Sequence, residues 1–309
     1  MILVIKEKHG PEYRLQSYED FYRLLPNYRD CHIYGKDSPN YDPNKTIYDI
    51  IKECPKDPTA ILVMAPLFKF SSWSEVKAKK YLLVTDSFDS YKKMQKDKHY
   101  PRMDEIELSG IFHHYLYALK YMKSVIPCKW HYFPNWAASC YDWKKYGDKK
   151  NVDFFLSGKY SYEYAMRKTF HKAFHKSGLN FMDYFNEKRI STDDDNLLFF
   201  YRLMDSRYSP HDGVVNGRMV PRYVESCYAK SVIISPYLGG EMDLMGFVEG
   251  ENYLRVDRKD SKKDIRKHMK NVANFADWKK LSTNAYDLVK KNHTTHERIV
   301  QFLEVVNEN

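Results

Sequence analysis

Short, mostly apolar runs recur along this chain, and all but the first are closed by a glycine, a proline or an aspartate. They are MILVI (Met1–Ile5), AILVMA (Ala60–Ala65), YLLVTD (Tyr81–Asp86), VDFFLSG (Val152–Gly158) and SVIISP (Ser231–Pro236). None is long enough for a buried helix, and none alternates polar with apolar as a strand with one wet face would. Runs of this kind suit strands covered on both sides, which is the environment of a parallel sheet. Helical periodicities lie between them, so the order is that of an α/β fold.

Further strands are predicted at Cys31–Tyr34, Lys129–Phe133 and the NYLRVD segment. Helices are predicted around Tyr18–Leu25, Ile47–Cys54, Trp73–Val76, Ile111–Met122, Met166–Lys176, Leu197–Met204 and Lys262–Val272. A last helix opens with Thr294 and Glu297 at capping-box spacing and carries Ile299, Phe302, Leu303 and Val306 on one face. The strand series restarts after the charged stretch Tyr141–Lys150, which suggests domains at 1–145 and 146–309.

Charge and cysteine content limit the surroundings. The chain of 309 residues carries a formal +9 at pH 7, so anionic partners are favoured, but Lys and Arg never form a run of five. The five cysteines include no CxxC pair, which fits reduced thiols in the cytoplasm and not a zinc site. The N-terminus lacks signal-peptide organisation, and no apolar run approaches the ~18 residues of a membrane span.

The stretch DGVVNGRMVPRYVESCYAKSVIISPYLGGE, from Asp212 to Glu241, holds the densest signal for chemistry. Pro221 suits the first turn of a helix, whose N-terminus would attract a diphosphate. Arg222 and Glu225 are three apart, on one helical face, with Tyr223 between them. The arginine suits phosphate, and the glutamate can accept both hydroxyls of a ribose. Gly239-Gly240 lets backbone approach a ligand closely, with Glu241 beside it. Acceptor-side bases are expected at strand ends, where His9 and Asp86 are the candidates, with Glu12 and Asp89 nearby. Asp193–Asp195 has the form of a metal-binding DxD but directly precedes a helix, where capping explains it. His113-His114 falls in a helical pattern without a third ligand, so no metal is expected.

The segments VDFFLSGKYSYEYAMR, LMDSRYSP, VPRYVESCYAKSVIIS, LMGFVEGENYLRV and NAYDLVKKNHTTHERIVQFL follow in order between Val152 and Leu303. Together they resemble the nucleotide-sugar-binding domain of GT-B glycosyltransferases, and most of all the group of spore-maturation CgeB-type proteins. The resemblance implies two Rossmann-like doubly wound domains facing a central cleft, with the C-terminal helix crossing back to the first. It implies a hexosyl- or pentosyltransferase that uses a nucleotide-diphosphate sugar as donor substrate, with no other cofactor and no metal.

On the resemblance, Glu225 holds the ribose, Arg222 is the arginine of an R-x-x-E helix, and Gly158 and Lys159 meet the phosphates, with Arg167 near them. The acceptor would be a glycan, a glycoprotein or a hydroxylated base in DNA. Many retaining members carry a further glutamate eight positions before the ribose-binding one. This chain has Gly217 there, so stereochemistry stays open. That substitution also leaves open a non-catalytic nucleotide- or carbohydrate-binding protein on the same fold.

Overall fold

The computed structural model describes residues 1–6, 16–64, 71–84, 106–116, 119, 128–139, 149–158, 164–175, 177–185, 193–214 and 217–308. The chain forms two compact units. The first comprises Met1–Gly10, Tyr18–Pro134 and Arg298–Asn309, and the second Pro11–Ser17 and Asn135–Glu297.

The first unit holds a sheet of β1 (Ile2–Lys6), β2 (Cys31–Gly35), β3 (Ala60–Met64), β4 (Lys79–Val84), β5 (Gly110–His113) and β6 (Lys129–Tyr132). Their order is β2-β1-β3-β4-β5-β6, and every pairing between them is parallel. Leu3, Val4, Ile61 and Leu82 are buried, as the apolar runs require of a sheet covered on both faces. Helices α1 (Gln16–Leu24, from Tyr18 on) and α2 (Ile47–Lys52) belong here, the second opened by a Thr46–Asp49 capping box.

The second unit holds β7 (Val152–Gly158), β8 (Phe181–Phe185), β9 (Ser206–Pro210), β10 (Val232–Ser235) and β11 (Tyr253–Arg255) in the order β11-β10-β9-β7-β8. These pairings are also parallel. Its described helices are α3 (Ala165–Phe174), α4 (Asp193–Met204), α5 (Arg222–Tyr228), α6 (Gly240–Leu244), α7 (Lys262–Ala273) and α8 (Trp278–Asn292). Helices α3 and α7 pack over one face of the sheet through Phe170, Phe174, Ile265 and Met269. Helices α5, α6 and α8 meet in a second core around Tyr223, Met242, Ala285 and Val289. Val232, Ile233 and Ile234 lie between these layers without solvent exposure. Burial of each such side chain stabilises by about 1.5–3 kcal/mol.

The last helix, α9 (Thr295–Glu308), starts in the second unit and from Arg298 belongs to the first. There Arg298 donates from Nε to the Pro134 carbonyl at 2.9 Å, and Gln301 donates to Tyr132 O at 2.8 Å. Phe302 closes an aromatic group with Phe21, Tyr81 and Phe112, at centroid distances of 5.9, 6.4 and 5.3 Å. A chain that returns to its first unit in this way is what the capped apolar C-terminal pattern served.

Several local expectations change. The helix predicted over Ile111–Met122 opens as strand β5, so His113 ends a strand and His114 follows it. Gly110, Ile111 and Phe112 are all buried, and a short two-sided strand running into a helical pattern cannot be separated from it by periodicity. Trp73–Glu75 is a single 3-10 turn. Helix α4 begins at Asp193, which puts Asp194 and Asp195 in its first turn and not at its cap. Strands β8 and β9 escaped prediction. Strand β9 (SRYSP) is polar in composition yet buried, its Ser206 hydroxyl donating to Arg202 O at 2.7 Å.

Candidate functional site

In each sheet the chain reverses the direction in which it adds strands. Strand β7 pairs with β8 on one side and β9 on the other, as β1 pairs with β2 and β3. The carboxyl ends of the strands at such a reversal leave a crevice in which doubly wound folds bind ligands. In the second unit that edge is formed by Ser157-Gly158, Pro210-His211-Asp212 and the turn after Ser235.

Two arginines converge there. Arg222, first residue of α5, donates from Nη1 to Ser157 Oγ at 2.6 Å and lies over the Phe199 ring at 4.8 Å. Arg167, in the first turn of α3, stacks on Tyr164 at 3.4 Å and places Nε 3.4 Å from Asp212 Oδ1. Its guanidinium lies against Gly158, where a Cβ would meet Nη1 at 2.4 Å. Gly158 also has φ +118°, a conformation that L side chains rarely adopt. The backbone therefore calls for glycine at this position, and a Cβ would in addition displace the end of the Arg167 side chain. Gly158→Ala should destabilise the second unit by about 1–3 kcal/mol, measured by chemical denaturation. An unchanged midpoint would refute the packing described.

Asp212 is buried, and its Oδ2 accepts from the backbone N–H groups of Met166 and Arg167 at 3.1 and 3.3 Å. The N-terminus of α3 is thus capped from within by a carboxylate. Burial raises the Asp212 pKa, while Arg167 and the two amides act against it. His211, beside it, is buried with Nε2 3.1 Å from Ser209 Oγ and 2.8 Å from Ser226 Oγ. Its pKa falls well below the ordinary value through burial, then through the charges of Arg222 and Arg167. His211 is neutral at physiological pH, and the positive charge of this edge resides on the guanidinium groups.

The remaining predicted residues take distinct places. Glu225 is half-buried one turn after Arg222 on α5. The helix is two turns long, with Tyr223 N donating to Val220 O and Glu225 N to Pro221 O. The cation at its start is therefore the Arg222 side chain more than the helix dipole. Tyr223 is fully buried with its hydroxyl on Ser235, so its side chain packs the core. Gly239 has φ 82° and ψ −159°, and no heavy atom lies within 4 Å of a Cβ built at Gly239 or Gly240, leaving the backbone of that turn bare. Glu241 turns inward instead, its Oε2 accepting from Met219 N at 3.4 Å. His9, Asp86 and Lys159 lie outside the described residues. His293 is structural, bonding the Met245 carbonyl at 2.9 Å.

Ser157, His211 and Asp212 were not identified as site residues from the sequence, although His-Asp-Gly directly after a strand is where an α/β site would be sought. Among the described residues no three His, Cys, Asp or Glu side chains gather as metal ligands, and no helix is long and apolar enough to cross a membrane.

No protein-family model matches the chain, and no characterised protein matches it by sequence. Solved structures do. A glycosyltransferase from Rickettsia africae superposes with a TM-score of 0.61 at 13% identity, over 99% of this chain and 97% of that one. HepE of Anabaena, in complex with UDP and glucose, gives 0.58 at 9% identity over 100% and 99%. A sucrose-phosphate synthase from Thermosynechococcus elongatus gives 0.57 at 10% identity over 99% and 98%. The chain has the GT-B fold. With it the expected α/β class stands, as does the likeness to GT-B glycosyltransferases, while no family model supports the CgeB-type group in particular.

Proposed function

We propose that this GT-B protein transfers a sugar from a nucleotide-diphosphate donor to an acceptor hydroxyl. The observation that supports it most is the convergence of Arg222 and Arg167 on the end of β7, at the strand reversal. Two guanidinium groups in fixed positions suit a diphosphate, in binding and as a leaving group. Glu225, one turn along, would hold the ribose, and the bare Gly239-Gly240 turn would let the sugar approach backbone amides. The complex of HepE with UDP and glucose supports a uridine nucleotide as the first to try.

In this reading the arginines supply the charge that a metal would supply in other designs, so transfer should continue in EDTA. The acceptor base is sought at His9 or Asp86, and the acceptor is a glycan, a glycoprotein or a modified nucleic-acid base. The setting is cytoplasmic, where nucleotide sugars are made.

The first test is binding. Uridine, guanosine and thymidine diphosphates are compared for their effect on the melting temperature. The matching one should raise it, because a ligand that binds only the folded state stabilises by mass action. Glu225→Ala should remove most of that rise, as the ribose hydroxyls lose a partner worth roughly 1–3 kcal/mol. The reading fails if no diphosphate shifts the transition at millimolar excess.

A further inference from the structure

Lys and Arg are dispersed along the sequence, but the fold gathers them. Helices α3 and α7 pack side by side through Phe170, Phe174, Ile265 and Met269. Arg266 fastens them, donating from Nε to Ala173 O at 2.8 Å and from Nη2 to Lys172 O and His175 O at 3.3 and 3.1 Å. Helix α3 carries three cations and no acid, and α7 five cations and one acid. Together that is seven of the nine net positive charges of the whole chain, on two neighbouring helices.

The arrangement has a direction. Lys168 and Lys172 on α3 are four apart, and Lys263, Lys267 and Lys270 on α7 follow at four and three, so each set forms one stripe. All five are exposed, opposite the buried stripe of their own helix. The one acid, Asp264, is held at the α7 N-cap, where Oδ2 accepts from Ser261 N at 3.2 Å and Ser261 Oγ at 2.5 Å. Like charges three and four apart weaken a helix, so this spacing carries a cost that scattered lysines would avoid. Just past α7, Phe275 is 39% exposed, and Trp278 follows half-buried.

We propose that the α3–α7 face docks on an anionic lipid bilayer. The exposed cations are lysines, point charges suited to a diffuse negative surface. The guanidinium groups of the two helices are turned elsewhere, Arg167 to Asp212 and Arg266 to carbonyls. A nucleic-acid face would place arginines on phosphates and base edges. The exposed Phe275 beside the lysines has the character of a residue that enters the headgroup layer.

Sedimentation of the full chain with phosphatidylcholine vesicles, with and without phosphatidylglycerol, tests this. Binding should require phosphatidylglycerol and fall as salt is raised. Lys267→Glu with Lys270→Glu should weaken it by at least roughly thirtyfold. Lys290→Glu with Lys291→Glu, an equal change in net charge on α8, should leave most of it. Phe275→Ser should weaken vesicle binding while keeping its salt dependence. The proposal is overturned if phosphatidylglycerol makes no difference. It is also overturned if both lysine pairs act alike, or if the Lys267/Lys270 variant loses duplex DNA binding while vesicle binding is unchanged. Unchanged melting temperatures of the variants show that folding is not what the assay reads.

Discussion

Arg222→Ala should slow sugar transfer by about a hundredfold while weakening diphosphate binding much less. Negative charge on the departing diphosphate grows toward the transition state, so a cation placed there counts more in turnover than in binding. The structure holds this cation in place before any ligand arrives. Its guanidinium is bonded to Ser157 and laid on Phe199, so little ordering is left for the moment of reaction. Arg222→Lys restores the charge without the planar fork and should recover only part of the rate. Steady-state kinetics with the diphosphate as product inhibitor separates the two effects. An equal loss in kcat/KM and in inhibitor affinity, with kcat unchanged, would make Arg222 a residue of uniform binding. Activity lost in EDTA and restored by manganese would remove the arginines from their central place altogether.

A second large effect concerns acid. His114, buried after β5, donates from Nδ1 to the Phe133 carbonyl at 2.6 Å and accepts at Nε2 from the Tyr18 hydroxyl. Burial lowers its pKa to about 4; the Phe133 bond acts against this and the Arg298 charge adds to it. In the unfolded chain the same histidine titrates near 6.5. Below that pH the unfolded state takes up a proton that the folded state refuses, so stability present above pH 6.5 is lost as pH falls toward 4. Between pH 7 and pH 5 the loss is about 2 kcal/mol for one such histidine. His211 is lowered in the same direction and adds to it in the second unit. Denaturant titrations at pH 7, 6 and 5 should show the decline, and His114→Gln should make it shallower. A flat profile across that range would mean that His114 is charged in the folded state.

The apolar runs were enough to suggest two parallel sheets, because most strands covered on both faces are apolar along most of their length. The Arg222–Glu225 pair and the Gly239-Gly240 turn were legible for a similar reason: helical spacing and the freedom of glycine are local properties. Strand β9 was not, because it is polar in composition and its burial comes from pairing with β7 and β10, which only long-range packing supplies. The same holds for the site. Asp212 caps a helix that begins 47 residues earlier than it, with its Met166 contact spanning 46 positions. Arg167 packs on Gly158 only because β7 and α3 fold back on each other. The charge shows this most plainly. Lysines that look like dispersed solubility charge in the sequence become one face when Arg266 meets Ala173 across 93 residues. Local chemistry sets which strands and helices can form, and long-range packing, which alone decides what each side chain is pressed against, sets where their charges meet.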